Sequence, residues 1–208
     1  MTEEKLYLYH VFIRIWHLIN ATLCLLLIIT GISMQFSNPK YPLIRFHIAV
    51  SVHNIVGIFL IINYVLFIIG NIVSGNGRYY RLHLNGLFNN LKQQFIYYVK
   101  GIFQKENAPF QINTERKFNP LQQFTYLCIM YFLIPIIIIS GVALMYPDIF
   151  IPNKFLGISA LHLTDLVHII VGFIISLFMI VHIYFCTIGK TPVSSFKSMV
   201  NGYHEVHD

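Results

Sequence analysis

The hydrophobic pattern of this chain is neither the two-residue alternation of a half-buried strand nor the narrow stripe of a soluble helix. It is a set of long apolar blocks. No Asp, Glu, Lys or Arg occurs between Arg14 and Lys40, between Arg45 and Arg78, between Lys117 and Asp148, or between Asp165 and Lys190. Each gap holds 24 to 32 residues, and a helix rising about 1.5 Å per residue crosses the hydrocarbon core of a bilayer with about 20. Inside the gaps lie apolar cores such as Leu23 to Ile29, Ile58 to Ile69, Ile134 to Ile139 and Ile169 to Ile183. The isoleucine-rich runs have strand character, but lone strands cannot cross lipid with their backbone groups unpaired. The pattern predicts an all-α integral membrane four-helix bundle, a single domain over residues 1–208. Its spans are expected at about 12–34, 48–72, 121–145 and 164–187.

The loop between spans 2 and 3, about residues 74–120, has a pattern of its own. Leu87, Leu91, Phe95, Val99 and Phe103 recur every four residues, with Asn90, Lys92, Gln93, Gln94 and Lys100 on the other faces. This predicts an amphipathic interfacial helix. The same pattern suits a helix docked on the protein's own face or on a partner. Asn38-Pro39, Ala108-Pro109 and Tyr146-Pro147 mark the remaining turns.

Composition agrees with the blocks. Hydrophobic residues make up 56% and charged residues 11%, where a soluble domain carries roughly a quarter of its residues charged. Three cysteines are too few for a disulfide framework. Glu3 and Glu4 stand where a removable signal peptide would be basic, so the first block is expected to stay as a span. Lys5, Arg14, Arg78, Arg81, Lys92, Lys100, Lys105, Arg116, Lys117, Lys190 and Lys197 fall on one side of the four spans, against Lys40, Arg45 and Lys154 on the other. The bias of basic residues towards the cytoplasmic side puts both termini and the middle loop in the cytoplasm of a bacterial inner membrane. The net charge of +6 then reads as topology and attraction to membrane lipids, not nucleic-acid binding.

Ten histidines, against eight acidic residues, are the unusual feature. Ionisable residues inside a membrane are rare and by default functional. His17 lies near the inner end of span 1, His53 near the outer end of span 2, His168 near the outer end of span 4 and His182 near its inner end. Fourteen residues separate His168 from His182, which on an α-helix is a rise of about 21 Å and a return to within about 40° of the same face. One stripe of span 4 therefore presents an imidazole at each membrane level, His168 beside His53 and His182 beside His17. His53 and His168 each open the pattern His-x-Ile-Val-Gly, ending at Gly57 and Gly172. Residues i and i+4 share a helix face, so each glycine clears space for something flat beside its histidine. Gly31, fourteen residues after His17, should face the outer layer from span 1.

Two facing imidazoles with room between them suit a six-coordinate b-type haem. No Cys-x-x-Cys-His occurs, so covalent c-type attachment is excluded. A structural zinc site would gather four ligands in one place. Cys24, Cys128 and Cys186 read as small packing residues. His47 and His162 each stand six residues before an outer ligand, as interfacial histidines or as a contact or proton site there. His10, His83, His204 and His207 sit in polar or terminal sequence and carry no role. Thr164, four residues before His168, is a candidate hydrogen-bonding group for that ligand.

These residues resemble the four-helix, di-haem cytochrome b subunits of quinone-linked respiratory complexes. That group includes the thiosulfate reductase cytochrome b subunit, the gamma subunit of formate dehydrogenase and the cytochrome b of nickel–iron hydrogenases. The motifs that carry the likeness are Arg14-Ile15-Trp16-His17, His53 with Gly57, Lys117-Phe118-Asn119-Pro120-Leu121-Gln122 and His168 to His182. The thiosulfate-reductase branch fits best. The resemblance implies two haem b groups, the inner one on His17 and His182 and the outer on His53 and His168. It also implies a menaquinone or ubiquinone site beside the inner haem that uses Asn119 and Gln122. Read alone, those two are polar residues at a helix start, where Asn is an ordinary cap. Arg14 is a candidate propionate partner or a plain membrane anchor. The implied function is electron transfer between the quinone pool and a periplasmic redox subunit of iron–sulfur, molybdenum or cytochrome c type. Two other functions compete: a stand-alone cytochrome b561-type superoxide:quinone oxidoreductase, and a haem-free transporter or assembly protein.

Overall fold

The computed structural model describes residues 5–205 apart from 39, 83, 114, 156, 189 and 190; His83 and His207 lie outside the described residues. In chain order it contains β1 (Lys5–Tyr7), α1 (Val11–Gln35), α2 (Phe46–Val73), a 3-10 turn (Asn76–Tyr80) and α3 (Leu87–Ile96), which runs into a π turn (Tyr97–Gly101). Next come α4 (Pro120–Cys128), a second π turn (Ile129–Leu133), α5 (Ile134–Met145) and the short α6 (Pro147–Phe150). The chain ends with β2 (Lys154–Phe155), β3 (Ile158–Ser159), α7 (Ala160–Cys186), α8 (Ser194–Asn201) and β4 (Tyr203–Glu205). Among the described residues, four stretches are long and apolar enough to cross a membrane: Val11–Gln35, Phe46–Val73, Pro120–Met145 and Ala160–Cys186. They coincide with the four expected spans, the last starting four residues earlier because Ala160 to Leu163 continue the helix outward. The protein is thus an all-α integral membrane bundle. Large apolar side chains along the spans face outward, among them Ile62, Phe173 and Ile180. In water such a surface would aggregate, and in lipid it is the contact surface.

The contacts divide the chain into two compact units, residues 15–68 with 132–183, and residues 1–14 with 69–131 and 184–208. In the first, α1 packs on α2 through Trp16, whose ring stacks on Phe67 at 4.7 Å and whose indole N–H donates to the Asn63 carbonyl at 2.9 Å. The Asn63 side chain donates to Asn20 Oδ1 at 3.2 Å. A buried amide pair in the middle of two spans is tolerable because each amide partners the other. Ser33 Oγ accepts from the Ile44 N–H at 2.9 Å and donates to the Ile44 carbonyl at 3.1 Å, tying α1 to the connection that leads into α2.

The second unit gathers both chain ends. β1 pairs antiparallel with β4, Leu6 opposite His204. The N–H groups of Leu8 and Tyr9 both donate to the Gly202 carbonyl, at 3.0 and 3.2 Å. Arg14 Nε donates to the Met199 carbonyl at 3.2 Å. α8 ends at Gly202 in the left-handed conformation, φ 86°. A Cβ there would lie 2.8 Å from the Tyr9 carbonyl oxygen and 2.7 Å from Tyr7 Cε2, so only glycine fits. Terminal strands meeting in this way need an even number of crossings, in agreement with four spans.

The loop helix forms where its spacing places it and gives way at Tyr97 to the π turn. α3 buries Gln94 almost completely, at 2% exposure, while Phe88, Phe95, Val99 and Phe103 point outward. It docks on its own unit with Gln94 inward and Leu87 and Leu91 half-buried, and leaves an aromatic face exposed, as a helix at a membrane surface does.

Candidate functional site

The first unit brings the two predicted histidine pairs together. The His17 and His182 rings lie 6.2 Å apart between centroids and are inclined by 54°. The His53 and His168 rings lie at the same separation, 6.2 Å, inclined by 69°. Each pair joins two spans, α1 to α7 in one case and α2 to α7 in the other, and α7 is continuous between its two histidines. A bis-imidazole metal site has iron–nitrogen bonds of about 2.0 Å, and each ring centre lies roughly 1.1 Å behind its nitrogen, so the centroids should stand about 6.2 Å apart. Both pairs meet that distance. Among the described residues no three His, Cys, Asp or Glu side chains cluster. Cys24 is buried, and Cys128 and Cys186 are half-buried.

The surroundings of the His53–His168 pair follow the sequence in part. Gly31 faces His53: a Cβ on it would lie 3.6 Å from His53 Cε1. Gly57 opens onto free space, as its place one turn after His53 predicts. Gly172 is instead covered by Ile137, whose Cδ1 would lie 3.4 Å from its Cβ. Thr164 does not serve His168; its hydroxyl donates to the Ala160 carbonyl of its own helix at 2.9 Å. The hydroxyl on His168 comes from Ser140, at 2.9 Å from Nδ1, and His53 Nδ1 meets Thr30 Oγ1 at 2.8 Å. Periodicity along one span missed both. A signal was nonetheless present, since Ile29-Thr30-Gly31 and Ile139-Ser140-Gly141 repeat one pattern in spans 1 and 3. His47 and His162 are exposed, in the first turns of α2 and α7. Phe178 stacks on His182, with centroids 5.6 Å apart and rings 20° from parallel.

The second unit holds Arg14, Asn119 and Gln122. Arg14 is half-buried and spends its Nε on Met199. Asn119 is the N-cap of α4, with Pro120 in the first turn. Its Oδ1 accepts from the Gln122 N–H at 2.9 Å, and Gln122 Oε1 accepts from the Asn119 N–H at 3.2 Å, a reciprocal capping box. Asn119 Nδ2 donates to the Tyr98 hydroxyl at 2.6 Å. Burial holds the Tyr98 phenol above its usual range, against the pull of that bond. Lys117, 6% exposed, donates to Asn76 Oδ1 at 3.2 Å and lies 4.3 Å above the Tyr79 ring. Burial, and then the nearby Arg78, lower its pKa. Lys117 was read from the sequence as part of the span 3 motif and as one of the basic residues that set the topology; its burial is a tertiary fact.

Comparison with known proteins gives the family of the chain. The chain is 37% identical over 201 residues to YdhU of Escherichia coli (strain K12), a protein named as a cytochrome; the match covers 97% of this chain and 75% of YdhU. Residues 8–202 match the family described as prokaryotic cytochrome b561, so the chain belongs to that family of membrane haem b electron-transfer proteins.

Proposed function

We propose that the protein is a membrane-anchoring, di-haem b electron-transfer subunit working between the quinone pool and a periplasmic redox partner, nearest in type to the thiosulfate reductase cytochrome b subunit. The observation that carries this reading is the pair of imidazole pairs at one common separation of 6.2 Å. His17 and His182 would hold one haem at the cytoplasmic level, and His53 and His168 a second at the periplasmic level. Haem b supplies reversible one-electron chemistry when bound. The side chains determine what that chemistry is used for. With two histidines to hold each haem, the protein would leave no open ligand place for oxygen, which favours electron transfer over haem catalysis. Fourteen residues of one rigid helix hold the two levels about 21 Å apart. Quinone would bind near the cytoplasmic level with Asn119 and Gln122 at its edge, and Arg14 would neutralise a propionate. Menaquinone and ubiquinone both fit this reading. The distribution of the basic residues supports a cytoplasmic side for both termini and the α3 loop.

Haem stoichiometry with a dithionite-reduced spectrum, on the wild type and on His182→Ala, tests it. The expected count is two, falling to one in the variant. An unchanged count in the variant refutes the His182 assignment, and a colourless wild type refutes the reading as a whole. Purification in mild detergent should bring a periplasmic redox subunit with the chain.

A further inference from the structure

Thr30 and Ser140 occupy equivalent places in two different spans. Each is buried, at 2% and 6% exposure. Each hydroxyl lies against the Nδ1 of one histidine of the same pair, Thr30 on His53 and Ser140 on His168. Each is followed by a glycine packed against the same ring. A Cβ on Gly31 would lie 3.6 Å from His53 Cε1, and one on Gly141 3.1 Å from His168 Cε1.

The direction of the two hydrogen bonds can be worked out. A hydroxyl has one proton. Thr30 Oγ1 lies 2.7 Å from the Leu26 carbonyl oxygen and 3.2 Å from that of Leu27. Ser140 Oγ lies 2.8 Å from the Ile136 carbonyl oxygen and 3.2 Å from that of Ile137. Two oxygens that close repel unless the hydroxyl proton lies between them, and a carbonyl has none to offer. The hydroxyl proton is therefore spent on its own helix, and towards the imidazole the oxygen can only accept. Nδ1 must then carry the proton on both rings, and the lone pair is left on Nε2.

We infer that Thr30-Gly31 and Ser140-Gly141 are matched positioning clamps for His53 and His168, each hydroxyl holding the Nδ1 proton so that both Nε2 atoms are presented to the iron of the periplasmic-level haem. The inference rests on the two-haem reading above. The hydroxyl fixes the tautomer and the rotation of the ring, and the glycine lets the ring edge approach the neighbouring helix. A ligand imidazole that donates its second N–H is a stronger base. That favours the oxidised iron, so the clamps lower the potential of this haem relative to one held by unclamped rings.

The test is a redox titration of the purified protein, with haem counts and low-spin electron paramagnetic resonance spectra, on Thr30→Val, Ser140→Ala and Thr30→Ser. Valine copies the shape of threonine without its hydroxyl, and serine restores the hydroxyl alone. In Thr30→Val and in Ser140→Ala one of the two midpoints should rise. At fixed poise the ratio of reduced to oxidised haem should change several-fold, up to about tenfold, or about 59 mV for a one-electron couple. The other midpoint should stay put, the haem count should remain two, and Thr30→Ser should restore the wild-type value. Gly141→Ala should shift the resonance of the same haem by pushing on the His168 ring. Two haems with both midpoints and both spectra unchanged in Thr30→Val and Ser140→Ala would overturn the clamp while leaving the two-haem reading intact. Loss of a haem in Thr30→Val that Thr30→Ser does not reverse would overturn it too. A wild type without two haems would overturn the reading and the clamp together.

Discussion

Asn119 is where a helix cap and a quinone contact make different predictions. Replacing it with alanine removes the Oδ1 that caps α4 and the Nδ2 that holds Tyr98. Loss of an Asn cap costs about 1 kcal/mol. Loss of one partly buried side-chain hydrogen bond costs about 1 kcal/mol more. The backbone half of the box, Asn119 N–H to Gln122, survives. Asn119→Ala should therefore lose about 2 kcal/mol, a fall of roughly 4 to 8 °C in the apparent melting midpoint of a chain this long. Serine caps as well as asparagine but cannot reach Tyr98, so Asn119→Ser should lose only about half as much. The assay is thermal unfolding in detergent, followed by the rate at which a quinol analogue reduces the haem in each folded variant. If the amide touches quinone, Asn119→Ser should lose most of that rate while keeping most of its stability. If it acts only as a cap, the rate should follow the folded fraction. Equal destabilisation in the serine and alanine variants would refute the capping argument itself.

Two further outcomes follow from the unit that joins the chain ends. Gly202→Ala places a side chain at φ 86° and a Cβ 2.8 Å from the Tyr9 carbonyl oxygen. At about 1–2 kcal/mol for the left-handed backbone alone, the clasp of β1 and β4 should open, read as faster hydrogen exchange at residues 5–9 and 203–205; unchanged exchange would refute the clash. Tyr9 has its phenol pKa pushed up to about 12, by burial first and by Cys186 second. The unfolded chain releases this proton near pH 10 and the folded one near 12, so between those values the folded state binds more protons and stability falls as pH rises, by up to about 1.4 kcal/mol per unit. The contribution is fully present below pH 10. An alkaline unfolding series should show this slope in the wild type and a shallower one in Tyr9→Phe; identical slopes would contradict the burial of the phenol.

The spans were legible because in lipid a helix must satisfy its own backbone and exclude charge, and both conditions are written along one stretch of chain. For the same reason the fourteen-residue step from His168 to His182, and that from His17 to Gly31, could be turned into positions: each is a property of a single helix period. The cap at Asn119 was visible as a local signature as well, and its reciprocal bond from Gln122 was not. What belonged to tertiary structure was every meeting between elements distant in sequence. Thr164, one turn before His168, was the hydroxyl that spacing offered to that ring, yet it bonds its own helix, and Ser140 of span 3 bonds the ring. Gly57 stays open while Gly172 is filled by Ile137, although the two pentapeptides that contain them match. The pairing of β1 with β4 joins segments nearly two hundred residues apart. Periodicity along one helix sets which residues share a face. Which face meets which neighbour depends on how each helix is rotated and shifted against the others, and that is decided only when all of them pack at once.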